Sequence, residues 1–179
     1  MADAVRIRRA GPADADALTD VLLDCVDGGA SVSFMHPLSR AKALAFWHDV
    51  LAGAARGERI VLVAEDVASG RVVGTVQVVL AVPDNQPHRT DVAKMLVHRS
   101  ARRRGLGEAL VRAAEAAAAD AGKTLLVLDT VTGGDAERLY TRLGWQRVGD
   151  IPGYALWPRG GLCSTTLFYR QLPVFTAAT

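Results

Sequence analysis

Residues 96–110 read Leu96-Val97-His98-Arg99-Ser100-Ala101-Arg102-Arg103-Arg104-Gly105-Leu106-Gly107-Glu108-Ala109-Leu110. An apolar strand ends, a basic turn follows, and two glycines open a long helix. The first N–H groups of a helix have no partner inside it and lie at the positive end of its dipole. Such an end receives a phosphate when the backbone can come close, which glycine permits. Arg102, Arg103 and Arg104 add charge beside it, able to form charge-assisted hydrogen bonds. The plainer alternative is a solvated basic start to a helix. The dinucleotide fingerprint is absent, because Leu110 stands where its third glycine would be. Gly122-Lys123-Thr124 echoes a phosphate loop only superficially, since it follows a helix and Ala117 occupies the place of the required glycine.

Upstream of this turn, residues 90–97 (TDVAKMLV) form a strand. Two runs rich in β-branched residues precede it, 59–65 (RIVLVAE) and 72–82 (VVGTVQVVLAV), joined through Ser69-Gly70 as a β-hairpin. The polar loop 83–88 carries two prolines. Nearer the N-terminus, Val5–Arg9 (VRIRR) alternates as a strand with one wet face. Asp14 is placed to cap a helix through Leu18, Val21, Leu22 and Cys25, stopped by Gly28-Gly29. Ser39 is placed to cap a second helix, with Ala43, Leu44, Phe46, Trp47, Val50 and Leu51 at helical spacing.

Downstream, the alanine-rich helix stops at Gly122. Leu125-Leu126-Val127-Leu128-Asp129 reads as a strand buried on both faces. A short helix spans 135–143. The last strands are 146–148 and 164–170, separated by loops around Pro152-Gly153-Tyr154 and Pro158-Arg159-Gly160-Gly161. This order predicts an α/β (α+β) fold: a mixed, mostly antiparallel central sheet with helices on both faces, in one domain over 1–179 with a loose tail after about 173.

Composition narrows the function. The chain has 179 residues, 50% hydrophobic and 22% charged, enough for a sizeable core and not the make-up of a disordered chain. Lys+Arg 21 against Asp+Glu 19 leaves +2, which argues against a polybasic nucleic-acid binder. No apolar run approaches the roughly 18 residues of a membrane span, and the N-terminus lacks the order of a secretory signal. Two cysteines are too few for a disulfide framework, so a cytoplasmic location is expected, with no nucleic-acid or membrane partner. His36 and His88 have no second histidine or cysteine at ligand spacing, so no metal is expected.

Arg102-x-x-Gly105-x-Gly107 after a strand resembles the acyl-CoA-binding motif of the GCN5-related N-acetyltransferases (GNAT). The run Ala136-Glu137-Arg138-Leu139-Tyr140-Thr141-Arg142-Leu143-Gly144-Trp145 resembles that family's second landmark, in the family's order. The stretches GASVSFMHPL, GTVQVVL, HRTDVAKMLVH, LLVLDT, AERLY and IPGY are similar to the tabtoxin-resistance acetyltransferases, which acetylate the amine of a β-lactam-containing amino-acid toxin. Where many members carry asparagine before the second landmark, this chain has Gly133.

The resemblance implies acetyl transfer from acetyl-CoA to the primary amine of a small molecule, such as an amino-acid-like toxin or antibiotic, by a monomer or homodimer. In that fold two parallel strands splay and the CoA arm lies between them, using exposed strand groups. By this analogy Leu96 and Val97 bond the pantetheine, and the N–H groups from Arg103 to Glu108, including those of Leu106 and Gly107, hold the pyrophosphate. Tyr140 is the general acid for the departing thiolate, a role that suits a phenol protonated at neutral pH.

Asp129, a carboxylate at a strand end, is a candidate to receive or hold the acceptor's ammonium proton; a turn-forming aspartate is the alternative. Asp91 is a rival base. The acceptor pocket is expected to draw on the loop 31–37, with Ser33, Phe34 and His36, on the hairpin strand around Gln77, and on Asn85 and His88, with Phe34, Trp145 and Tyr154 as apolar walls. An acyl-CoA-binding sensor without turnover, or an enzyme acting on a protein lysine or N-terminus, are the competing readings.

Overall fold

The computed structural model describes residues 5–173. The expectations for the extreme N-terminus and for the tail after Pro173 lie outside the described residues. Seven strands form one sheet: β1 (Val5–Arg9), β2 (Arg59–Asp66), β3 (Val72–Val79), β4 (Arg89–Val97), β5 (Leu125–Val131), β6 (Gln146–Leu156) and β7 (Leu162–Gln171). Their order is β1-β2-β3-β4-β5-β7-β6. Every pairing is antiparallel except β4 with β5, the two strands joined through a helix.

The period-2 alternation of β2 sends its side chains to two cores. Val61 and Val63 pack with α1 (Ala15–Asp27) and α2 (Arg40–Ala55) around Leu18, Leu22 and Trp47. Ile60, Leu62 and Ala64 face the other way, onto Leu110, Val111 and Ala114 of α3 (Leu106–Asp120). The short helix α4 (Asp135–Arg142) adds Leu139 and Tyr140 to that second core. Helices therefore cover both faces of a mostly antiparallel sheet, as expected. No helix among the described residues is long and apolar enough to cross a membrane.

Local expectations are corrected at four places. Asp14 stands at the N-cap of α1 without capping it; its carboxylate accepts from the Gly11 N–H at 2.8 Å and from Arg8, because a 3-10 turn over Pro12–Asp14 precedes the helix. β3 ends at Val79, not at 82. β5 is buried on one face only: Leu126 and Leu128 are covered, whereas Leu125 and Val127 are half-buried and Asp129 is exposed. β6 runs on through Pro152-Gly153-Tyr154, expected as loop. It is an edge strand, where a proline forfeits no ladder bond, and register shifts between Ile151 and Ala155 absorb the extra residues.

Leu167, Phe168 and Tyr169 pair within the sheet, between β5 and β6. Ser39 caps α2 as expected, accepting from the Lys42 N–H at 3.2 Å.

Candidate functional site

The parallel ladder between β4 and β5 lasts three residue pairs, Arg89 with Leu125, Thr90 with Leu126 and Asp91 with Val127. Beyond it the strands diverge. The cause lies in β4: opposite β3, the residue partners jump from Gln77–Ala93 to Thr75–Leu96, so Lys94 and Met95 share one place in the ladder. Lys94 takes φ 51°, a bulge that bends the strand away. β5 meanwhile stays paired to β7 as far as Val131. A cleft of about 1140 Å³ opens between them.

The free edge of β4 borders this cleft. The His98 N–H donates to the Val73 carbonyl at 2.9 Å, so by strand alternation Leu96 turns its polar groups to β3 and Val97 turns its own to the gap. Leu96 is a buried wall residue whose backbone is spoken for; Val97 and, two residues back, Met95 present the available edge. The Val97 carbonyl accepts from Arg102 Nε at 3.2 Å and lies 3.6 Å from Cys25 Sγ.

At one end of the cleft stands the start of α3. Gly105 is its N-cap at φ 78°, a conformation that would strain any other residue, and a Cβ there would meet nothing within 4 Å. Gly107 matters for space instead. A Cβ on it would come within 3.0 Å of Leu139, so its absence lets α4 pack close. The N–H groups of Leu106, Gly107 and Glu108 have no partner within the helix, whose first internal bond runs from Ala109 to the Gly105 carbonyl. Arg102 and Arg103 line this end with Arg138 and Arg142 of α4. Arg104 does not line it; one of its contacts is to Asp66 at 3.5 Å.

Midway along, Tyr140 and Asp129 both line the cleft. The Tyr140 ring packs on Trp145 and Phe168, with centroids 5.5 and 6.0 Å apart, and the residue is 4% exposed. Burial, with a smaller contribution from the Asp129 charge, pushes its phenol well above the ordinary value. Asp129 is exposed into the cleft, and its carboxylate accepts a hydrogen bond from Thr165 Oγ1 at 2.8 Å. Trp145 supports Tyr140 from beneath and does not line the cleft. Its indole N–H donates to buried Glu115 at 2.9 Å.

The other end is closed by the loop around residues 31–37, stapled to the β6–β7 turn. Ser31 Oγ donates to the Leu156 carbonyl at 2.9 Å, and the His36 N–H donates to that of Pro158 at 2.8 Å. Ser33, Phe34 and Met35 line this end with Tyr154 and Trp157. Lys94 lies here too, donating to Ser33 Oγ at 2.9 Å. Nothing local in the sequence marks Lys94, Met95 or Arg138 as cleft residues, since a bulge and the face a helix turns to the cleft are set by distant contacts; Met35 lies in the loop expected here.

The remaining expected pocket residues are elsewhere. The His36 imidazole points to Asp27, 3.6 Å away. Gln77 is buried and accepts from Arg59 at 3.1 Å. Asn85 and His88 are exposed on the loop before β4. Asp91 pairs with Arg89 at 2.6 Å at the last rung of the parallel ladder. None of these five lines the cleft. Among the described residues no group of His, Cys, Asp or Glu could hold a metal. Gly133 sits in the β5–α4 turn at φ 79°, its N–H bonded to Glu137 and its carbonyl accepting from Arg138 at 2.9 Å.

A family model described as "Acetyltransferase (GNAT) domain" matches residues 57–147. Among solved structures, yncA from Salmonella typhimurium with its cofactor acetyl-CoA superposes with a TM-score of 0.78, at 24% identity and 97% coverage of both chains. A ribosomal-protein-alanine N-acetyltransferase from Brucella melitensis gives 0.80, at 23% identity, over 93% of this chain and 99% of that one. A candidate phosphinothricin N-acetyltransferase gives 0.77, at 18% identity, over 95% and 99%. These likenesses establish the shared fold.

Proposed function

The chain belongs to the GNAT family of acetyltransferases, and from that premise we propose that it moves the acetyl group of acetyl-CoA onto the primary amine of a small molecule by direct attack in a ternary complex. One observation carries the reading. A single cleft runs from the unpartnered amides of α3, along the free edge of β4, to Tyr140 and Asp129.

The residues suit acetyl-CoA in three ways. The amides of Leu106, Gly107 and Glu108, with Arg102 and Arg103, form an anion site for the pyrophosphate. Val97 and Met95 offer main-chain groups to the pantetheine amides, completing the sheet where β5 has departed. The Val97 N–H is the donor placed to polarise the acetyl carbonyl.

The chemistry then divides between two side chains. The amine nitrogen attacks the thioester carbon, the C–N bond forms and the C–S bond breaks. Asp129 takes the ammonium proton and passes it to water, and Tyr140 protonates the departing thiolate. Asp91 is a poor rival for the first role, being tied to Arg89 outside the cleft. An acyl-enzyme is disfavoured although Cys25 and Cys163 both lie in the cleft wall. They are buried to 2% and 6% exposure, and burial raises the Cys25 thiol.

An amino-acid-like toxin or antibiotic as acceptor is supported by the sequence stretches shared with the tabtoxin-resistance enzymes. The test is incubation of the purified chain with acetyl-CoA and a panel of amino-acid analogues, aminoglycosides and polyamines, following thiol release and the acetylated product by mass. Binding of acetyl-CoA without transfer to any amine would favour a sensor instead, and transfer only to peptides would favour a protein substrate.

A further inference from the structure

Among the described residues, the non-glycine residues with left-handed φ are Ser33 at 77°, Lys94 at 51° and Arg103 at 60°. All three line the cleft. Such backbone costs free energy and persists where the surrounding structure holds it for use. Arg103 belongs to the phosphate end. Ser33 and Lys94 lie together at the opposite end and are bonded to each other at 2.9 Å.

Lys94 is an unusual cation. It is half-buried, its Nζ sits 6.0 Å from the centroid of the Phe46 ring, and Phe34 packs edge-on against Phe46 at 5.2 Å. Desolvation lowers its proton affinity, and the Asp129 charge restores part of it. Yet no carboxylate among the described residues comes within ion-pair distance of Nζ. An ammonium has three donors, and Ser33 takes one. A half-buried charge without a counter-ion is costly unless a ligand completes it.

We infer that Lys94 is a specificity-determining residue: its ammonium, with the Ser33 hydroxyl beside it, holds a carboxylate of the acceptor while the acceptor's amine faces Asp129. The inference rests on the acetyl-transfer reading above. A zwitterionic acceptor matches the two charges in sign, since Lys94 and Asp129 sense one another across the cleft without direct contact. Arg102, Arg103, Arg138 and Arg142 stand at the phosphate end, which leaves Lys94 as the basic group lining the acceptor end.

The test compares amino acids with their carboxamides as acceptors in the thiol-release assay. The amide's amine is the less basic, so more of it is neutral at pH 7, and amine basicity alone would favour the amide. The proposal expects the opposite: kcat/KM higher for the acid by about 10- to 100-fold, the worth of a charge-assisted hydrogen bond. Lys94→Met should reverse the preference, leaving the amide the better acceptor, chiefly by raising KM for the acid, and Lys94→Arg should restore part of it. Equal rates on acid and amide in the wild type would overturn the proposal. So would an equal loss on both in Lys94→Met, which marks a merely structural lysine. Because the wild-type comparison needs no variant, misfolding cannot hide the answer. Transfer without carboxylate preference sinks this inference alone, whereas no transfer to any amine sinks the acetyltransferase reading with it.

Discussion

Replacing Tyr140 with phenylalanine separates chemistry from architecture. The ring is gripped between Trp145 and Phe168, and phenylalanine keeps that packing. The hydroxyl forms no hydrogen bond among the described residues. Its removal therefore leaves no partner unsatisfied, and stability should change by less than about 0.5 kcal/mol. The catalytic loss should be far larger. A positioned general acid contributes on the order of 10²- to 10⁴-fold. A fall in kcat of about 10²- to 10³-fold corresponds to roughly 3–4 kcal/mol of transition-state stabilisation.

Two controls sharpen the test. An acetyl thioester with an acidic aryl thiol as leaving group needs no proton on departure, so Tyr140→Phe should be nearly as fast as wild type with it. The pH profile gives an independent view: burial holds the phenol above its usual value of 10.0, so it stays protonated and imposes no alkaline limb on kcat below that pH. Steady-state thiol release at saturating acetyl-CoA, beside a thermal melt, measures all of this. If kcat stayed within about threefold of wild type, or the deficit were equal with both leaving groups, the proton-donor role would be wrong.

Four further outcomes follow from particular contacts. Glu115, 8% exposed, accepts from Trp145 at 2.9 Å and pairs with Arg170 at 3.2 Å; Glu115→Ala should cost about 2–4 kcal/mol in urea unfolding by stranding both. Gly105→Ala forces a Cβ into φ 78°, which should cost about 1–2 kcal/mol and raise KM for acetyl-CoA, whereas Gly105→Asn should be milder. Cys25→Ala and Cys163→Ala should each keep kcat within about threefold, with no acetylated enzyme seen by mass after quenching; a tenfold loss together with an acetyl adduct on wild type would demand a covalent route. Asp14 is held below its ordinary 3.8 mainly by the hydrogen bond from Arg8, so the stability it contributes is whole above pH 3.8 and vanishes as pH drops through the lowered value. Arg8→Met should thus melt lower than wild type at neutral pH, with the gap closing in acid.

The end of the cleft at the start of α3, proposed for the pyrophosphate, was legible because its signals are local. A strand, three arginines, a glycine that must take positive φ and a helix start are contiguous in residues 96–110. Tyr140 was legible through its motif, and Asp129 as the polar end of an apolar run. The opposite end was legible only in part, since Ser33, Phe34 and Tyr154 do line it. Gln77, Asn85 and His88 were plausible by residue type alone, and the fold directs them into the sheet or out to the loop before β4. Leu96 and Val97 are adjacent in sequence, but which of them offers its backbone to the cleft depends on the register of β4 against β3.

Hydrophobic period, capping residues and turn glycines were sufficient to set the element order, the two-sided helix cover and the glycine-opened helix start, because each arises from neighbours within about a dozen positions. Where β4 leaves β5, which way Lys94 points, and how the loop around Ser33 meets the β6–β7 turn arise from contacts between distant segments, Ser31 with Leu156 and His36 with Pro158 among them. Those contacts are made only when the sheet closes its ladders and a single bulge shifts the register. The end of the cleft proposed for the donor could therefore be read along the chain, while the end proposed for the acceptor takes its shape only in the folded molecule.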